Sequence, residues 1–441
     1  MKKLIALILT SSMLLLTACD NTRNDSPSGT GSGTNAPDKT EAEGSGPAQS
    51  GDASTSEEKE LPPEETQAPP PSGLGEDEQR QYMIDNSLMT LGDTSRMIRV
   101  LKKAAAGEEI TVGYIGGSIT EGLTAGAEKC WAKLTYDALC EMFPETKINY
   151  VNAGLSGTPS VLGVVRAERD LFKDKTPDIV FIEFAVNDGG DQIYKDCYES
   201  LVRKSLDKDN DPAVVLLFTV LKNRYSCQSH MSAVGRHYDL PMISVGNAIN
   251  PMFDAEYMTW EKYSDDESHP NIWGHELVKD FIMNYFEQVK KLADETDAAP
   301  ELTPLPDSAF YTAEYAGMEF IGKDALKVQN VEGFKENDNV IANFDGWMYR
   351  GKTGASITFT AEFKTLFLVF RCSNSDSYAD AEVIIDGESV NTVPSNKPGG
   401  WGNPEADPAW SGEGGEHTVE IKVGPSDKAL LYGFLGVGVV K

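Results

Sequence analysis

Positive charge is scarce in this chain. Its 441 residues include 39 Lys+Arg against 69 Asp+Glu, a formal charge of −30 at pH 7. No stretch gathers the Lys and Arg that phosphate-backbone recognition requires, which excludes nucleic acid as a partner. Cysteine is scarce as well, six in all, with no C-x-x-C pair and no Cys/His spacing of a zinc site, so no such metal site is expected. With only five histidines, any imidazole chemistry must draw on His230, His237, His269, His275 or His417. The longest apolar run, Leu4 to Leu16, falls short of the roughly 20 residues a spanning helix needs. What the chain does have is 40% apolar and 9% aromatic residues, enough for real cores over a length that allows two or three domains.

The amino terminus reads as an export signal. Lys2 and Lys3 precede the apolar run, which ends in Leu16-Thr17-Ala18-Cys19. Small residues before a cysteine resemble a bacterial lipobox, in which Cys19 becomes the lipidated first residue of the mature chain; an ordinary secretory peptide is the alternative. Residues 1–19 are therefore expected to be a lipoprotein signal, leaving an extracytoplasmic protein held at the cell surface only by its N-terminal lipid. Residues 20–80 are Ser, Gly, Thr, Pro, Asp and Glu with almost no large apolar side chain, which predicts a disordered acidic spacer. Its Pro-rich part, Leu61 to Gly73, should be the stiffer. With Cys19 set aside, Cys130, Cys140, Cys197, Cys227 and Cys372 are an odd number in an exported protein, so at least one thiol should be free.

Residues 81–299 alternate apolar strand-like runs, at 110–116, 148–153, 178–186, 213–221 and 241–246, with segments of helical character such as 130–143. Continuous apolar strands joined by helix-length connections indicate a parallel sheet covered on both faces. Val278, Phe281, Ile282, Tyr285, Phe286 and Val289 follow the spacing of one buried helix face. The expected fold class is α/β, a flavodoxin-like three-layer α/β/α sandwich with a five-stranded parallel sheet, whose site forms at the carboxyl ends of the strands.

Those strand ends carry polar and small residues. The first run leads into Gly116-Gly117-Ser118, where glycines permit a tight turn and leave Ser118 at the sheet edge. The second ends in Asn152-Ala153-Gly154-Leu155-Ser156-Gly157 and the third in Ala185-Val186-Asn187-Asp188, placing a backbone donor at Gly154 and an amide at Asn187. Far along the chain, Asp266 and His269 stand three apart before Pro270, spaced so that the carboxylate can orient the imidazole. Asp265 and Asp188 are substitutes for Asp266 if the turn is wound differently. Among the other histidines, His275 and His230 are weighed as lining or packing residues, and His237 and His417 as structural or surface residues. Arg166 and Arg169 read as a solvated or salt-bridged helix face.

These blocks resemble the SGNH (GDSL-like) hydrolase family, over about Ile110 to Leu277. The resemblance implies Ser118 as nucleophile, Ser118, Gly154 and Asn187 as the oxyanion hole, and Asp266 with His269 as the rest of the triad. It departs from the family pattern at Gly117 and Ile119, where the GDSL form has Asp and Leu, and at Ala185, where the third block has Gly. The Gly-Gly-Ser-Ile-Thr form looks more like the carbohydrate-esterase-like branch. An α/β-hydrolase nucleophile elbow would need G-x-S-x-G, and Thr120 occupies its last position. The implied chemistry needs no cofactor: it is acyl transfer to Ser118, with His269 as base and then acid, and an activity that falls in acid as the imidazole takes up a proton.

Residues 300–441 change to short alternating strands, at 356–361, 365–371, 381–386, 417–423 and 430–440, between Gly, Pro, Asn and Asp clusters. This predicts an antiparallel β-sandwich accessory domain of jelly-roll type. Trp347, Tyr349, Trp401 and Trp410 lie near loops, where they either offer stacking faces to sugars or pack the domain interface. An acylated polysaccharide or oligosaccharide, O-acetylated above all, is the expected substrate. A short-chain arylesterase or lysophospholipase, and a non-catalytic surface glycan-binding lipoprotein, are the alternatives.

Overall fold

The computed structural model describes residues 67–342 and 344–441. The signal segment with Cys19, and the spacer as far as residue 66, lie outside the described residues.

The first body runs α1 (Glu76–Ser87), β1 (Leu88–Thr90), α2 (Ser95–Ala105), β2 (Ile110–Gly116), α3 (Ser118–Glu121), α4 (Trp131–Met142), β3 (Ile148–Gly154), α5 (Ser160–Asp170), β4 (Ile179–Glu183), α6 (Gln192–Leu206), β5 (Ala213–Phe218), α7 (Gln228–His237), β6 (Met242–Ser244), α8 (Val245–Asp254), α9 (Trp260–Tyr263) and α10 (Ile272–Glu295). The helix α1 begins ahead of the expected start at residue 81. Its first turn, Glu76-Asp77-Glu78, suits a helix N-terminus, and the Glu78 carboxylate accepts the Gly75 N–H at 2.8 Å. The preceding residues lie on the body, where the Tyr257 hydroxyl donates to Pro71 O at 2.6 Å and accepts from Leu74 N–H at 3.2 Å.

The sheet order is β1-β6-β5-β4-β2-β3. Strands β2 to β6 pair in parallel and give the five expected strands. The sixth, β1, pairs antiparallel with β6 at the edge; three half-buried residues leave no periodic signal in the sequence. Without β1 the order is that of flavodoxin-like sheets, so the chain reverses direction across the sheet at β2, and the carboxyl end of β2 faces the crevice. Every residue of β2, β4 and β5 is buried, as strands covered by helices on both faces must be. On one face Tyr114 stacks on Phe181 at 5.1 Å beneath the apolar side of α10.

The second body contains β7 (Glu319–Gly322), β8 (Lys327–Glu332), β9 (Lys335–Ile341), β10 (Phe344–Gly351), β11 (Ala355–Ser373), β12 (Asp380–Ile385), β13 (Glu388–Pro394), β14 (Trp401–Val423) and β15 (Leu430–Val440), all paired antiparallel. The two strands expected at 356–361 and 365–371 are one strand, β11. A bulge between Phe363 and Thr365 replaces the expected turn and switches the inward face. Before it Ile357, Phe359, Ala361 and Phe363 enter the domain's own core; after it Leu366, Leu368 and Phe370 do. Residues from strands next to the two ends of the order, Trp347 of β10 and Val383 of β12, belong to that one core, so the sheet folds over on itself as a sandwich.

Beyond the bulge the opposite face of β11 is buried too. Phe367 and Val369, with Ala406 and Leu435, join one apolar cluster with Val161, Val164 and Val165 of α5 and Leu201 of α6. Trp347 and Tyr349 belong to the domain's own core. Because the two bodies share a cluster rather than touch at a polar rim, they should unfold together. We expect Phe367→Ala to cost about 3–5 kcal/mol while calorimetry still shows one transition; two resolved transitions in the wild type would refute the coupling.

Candidate active site

Ser118 opens α3 directly after β2, so its N–H lacks an intrahelical acceptor and its side chain stands at the sheet's carboxyl edge. Its hydroxyl lies 2.9 Å from His269 Nε2. The other ring nitrogen, Nδ1, is 2.8 Å from Asp266 Oδ2, while Asp266 Oδ1 accepts the N–H groups of Ser268 at 2.7 Å and His269 at 2.6 Å. Burial alone would raise the Asp266 carboxyl, but the hydrogen bonds from His269 and Ser268 hold it below the ordinary carboxylate range. The turn is fixed in place by Ser264, whose hydroxyl donates toward Asp266 O and His269 O. Of the possible substitutes, Asp265 accepts from Asn271 Nδ2 at 3.2 Å, and Asp188 accepts Ser160 N–H at 2.7 Å and its hydroxyl at 2.5 Å. Neither touches His269.

The Asn187 amide lies against the Gly117 backbone and makes no side-chain hydrogen bond among the described residues. A Cβ on Gly117 would come within 2.3 Å of Asn187 Oδ1, so the departure at this position has a steric reason: a side chain there would displace the amide. Gly154 does not take its expected place. It closes β3 opposite Gly116, and its N–H donates to Asn152 Oδ1 at 2.8 Å, so the donor is already used. A Cβ there would reach within 2.2 Å of Glu121 N, which makes this glycine a packing requirement for α3. Further along the same loop, Gly157, at φ +70°, shares a cavity wall with Asn187.

Several residues that hold the site carry no sequence signal. Asn152 Nδ2 donates to Thr120 O at 2.9 Å, and Glu121 accepts Ser156 N–H at 2.7 Å as well as its hydroxyl. Glu183, fully buried at the end of β4, accepts from Thr120 at 2.9 Å and Thr219 at 2.6 Å; burial raises its carboxyl. Arg166 is salt-bridged, one of the two expected alternatives, and is not solvated. It is 1% exposed, and it donates to Ala153 O at 2.7 Å and Gly116 O at 2.9 Å besides pairing with Asp170 at 3.2 Å. Arg169 fits the expectation, pairing with Asp170 while its guanidinium lies over Phe344.

None of the remaining histidines hydrogen-bonds Ser118 or Asp266 among the described residues. His275 Nδ1 accepts Trp131 N–H at 3.1 Å, and burial lowers its imidazole to about 4, as it does that of His230. His237 bonds Ser308 O at 2.7 Å and His417 pairs with Asp386 at 2.7 Å. The five cysteines among the described residues are all free, no group of three or more His, Cys, Asp and Glu there is arranged to hold a metal, and no helix there is long and apolar enough to cross a membrane.

The accessory domain reaches this site through the start of β14. Asn403 Nδ2 donates to Gly157 O at 3.0 Å, and the indole of Trp401, 61% exposed, lies against Gly157. A cavity of about 210 Å³ opens there, walled by Gly157, Asn187 and Tyr194 on one side and Lys397, Asn403 and Glu405 on the other.

A flavodoxin-order sheet bearing Ser118, Asn187 and an Asp-x-x-His turn at its carboxyl edge defines a hydrolase of the SGNH class. Residues 114–277 match the GDSL-like lipase/acylhydrolase family. The chain belongs to that family. It is similar over 81% of its length, at 30% identity and TM-score 0.70, to the crystal structure of a two-domain esterase active on acetylated mannans, 98% of which is covered. The same values hold for that esterase co-crystallised with mannopentaose, with 97% of it covered. No curated protein matches the sequence.

Asp188 sets a pH dependence on stability. Burial pushes its carboxyl from 3.8 up to about 8. A carboxyl raised on folding contributes stability fully below its unfolded value, and that contribution is lost as pH climbs through the folded value. Resistance to urea should therefore decline between about pH 4 and pH 8. Asp188→Asn should flatten that decline, and an unchanged slope in the variant would show that another group causes it.

Proposed function

We propose that this protein is a serine esterase that removes O-acetyl groups from carbohydrate, with mannan-type polysaccharide as the first substrate to test. The observation that carries the reading is the relay at the sheet edge, in which His269 stands between the Ser118 hydroxyl at 2.9 Å and the Asp266 carboxylate at 2.8 Å. In this reading His269 takes the hydroxyl proton as Ser118 attacks the ester carbonyl, then returns it to the departing sugar hydroxyl; water repeats the sequence on the acyl-enzyme. Asp266 stays ionised, which its hydrogen bonds favour, and holds the ring in the tautomer that leaves Nε2 free to accept.

The tetrahedral oxyanion would be met by the Ser118 N–H, the Asn187 amide and the backbone at Gly157 in place of Gly154, each donor worth on the order of 10²–10³ in rate. The two-domain esterase active on acetylated mannans supports the substrate class, because the similarity spans the accessory domain as well as the hydrolase body. Export and tethering through Cys19 would place this activity at the cell surface, within reach of polymers too large to enter the cell.

The test is acetate release from acetylated mannan and xylan, with 4-nitrophenyl acetate and a long-chain ester alongside. Ser118→Ala should lower turnover by about 10⁴-fold or more, and Asp266→Asn by about 10⁴-fold, with protein levels and folding unchanged. Release that survives Ser118→Ala would overturn the mechanism. Turnover confined to the long-chain ester would move the substrate to lipids.

A further inference from the structure

Besides Asn187 itself, the cavity contains a second polar group whose bonding is incomplete. Asn403 is committed at both ends, donating to Gly157 O at 3.0 Å and accepting Trp401 N–H at 3.1 Å. Lys397 is committed to Asp407 at 2.6 Å. Glu405 is not. Its one polar partner is the Cys372 thiol, a weak donor, at 3.8 Å. Burial pushes its carboxyl up to about 7, against a weaker opposing pull from Lys397, which is itself paired with Asp407. Glu405 is half-buried and lines the cavity, so a carboxylate oxygen with no protein partner is within reach of a ligand's hydroxyls.

The surroundings say what that ligand is. With Asp407 close behind Lys397, and Glu405 itself acidic, an anion finds no free positive charge in the wall. A long acyl chain finds too little apolar surface, since the wall carries Asn187, Lys397, Asn403 and Glu405. A cavity of about 210 Å³ holds the equivalent of roughly seven waters, the bulk of one sugar ring rather than of a chain. At its edge Trp401 presents an exposed indole against Gly157. A carboxyl able to accept from or donate to hydroxyls, set beside an exposed aromatic face, suits a pyranose, whose hydroxyls are polar and whose C–H face is not.

We propose that Glu405 reads the hydroxyls of a single neutral sugar unit, held against Trp401 in a subsite that the accessory domain builds next to Asn187. The assignment rests on reading the neighbouring site as a carbohydrate esterase. It makes Glu405 a specificity-determining residue: it selects which ester-bearing sugar is presented to Ser118 and takes no part in proton transfer. The signal in the sequence is slight, because Glu405 lies in a strand that on its own reads as packing.

Two measurements on the full chain test this. In the first, kcat/KM is compared on acetylated mannan, which carries the sugar, and on 4-nitrophenyl acetate, which does not. Glu405→Gln should lose at least about tenfold more on the polymer than on the small ester, with the difference in KM, and Trp401→Ala, an exposed position where folding is not at risk, should shift the ratio the same way. Equal losses on both substrates, or none on the polymer, would overturn the proposal.

In the second, calorimetric binding of mannopentaose and xylopentaose is measured in a Ser118→Ala background, with and without Glu405→Gln, so that no turnover is required. Binding weakened about tenfold by Glu405→Gln supports the subsite even if no ester is ever cleaved, which would sink the esterase reading alone. Binding that ignores Glu405, or no binding of either oligosaccharide, would sink the subsite whatever the esterase assay shows.

Discussion

A buried guanidinium holds the two strand ends on which the site is built. Arg166 ties the last carbonyl of β2 to the end of β3, at Gly116 O and Ala153 O, and takes its counter-charge from Asp170 within its own helix. A charge out of water is costly unless it is engaged. Gly116 O, which already accepts Leu155 N–H at 3.0 Å, takes the guanidinium as a second donor, and Ala153 O and Asp170 engage the rest of the fork apart from Nε. Ser118 follows two residues after Gly116, and the loop to Gly157 follows Ala153, so the spacing between Ser118 and that loop depends on this bridge.

The same region is cross-linked from below and from the side. Glu183 receives Thr120 and Thr219, which joins α3 to the ends of β4 and β5, and Asn152 and Glu121 bind α3 to the β3 loop. A four-residue helix has almost no stability of its own. Its position comes from these side-chain bonds, and they explain why glycines at 117 and 154 are needed: each removes a Cβ where a neighbouring element approaches closely. Polar groups buried this densely are stabilising only as a complete set, so the site should be sensitive to partial loss.

Much of this architecture was legible in the sequence. The five parallel strands announce themselves as continuous apolar runs, because burial on both faces leaves no alternation, and Ser118, Asn187, Asp266 and His269 stand out as candidates because they lie at run ends or in a short turn. Where the reading failed, the physical cause differs from case to case. The edge strand β1 is too short to show a period. The single strand β11 looked like two because a bulge and a turn interrupt alternation in the same way. Gly154 and Gly157 are indistinguishable as letters, and only the side chain of Asn152, folded back onto the Gly154 N–H, separates them. Arg166 at helical spacing reads as solvated or salt-bridged; the pair with Asp170 is there, but nothing in the sequence says that strand-end carbonyls also lie within its reach.

The least legible feature is the contribution of β14, and the reason is one of sequence distance. Asn403 meets Gly157 across 246 positions, and that contact exists only because the outer face of β11 packs on α5. Alternation along β11 predicts a strand with one buried face; burial of the second face depends on a partner hundreds of residues away. An apolar interface of this kind fixes the accessory domain rigidly enough for a side chain on it to hold a loop of the neighbouring body, which a flexible tether would not allow. The division of labour follows from that rigidity. The strand ends of the first body hold Ser118 and Asn187 within a buried polar network, while the wall facing Asn187 comes from a separate sheet, whose Trp401 and Glu405 make no hydrogen bond to Ser118 or His269 among the described residues.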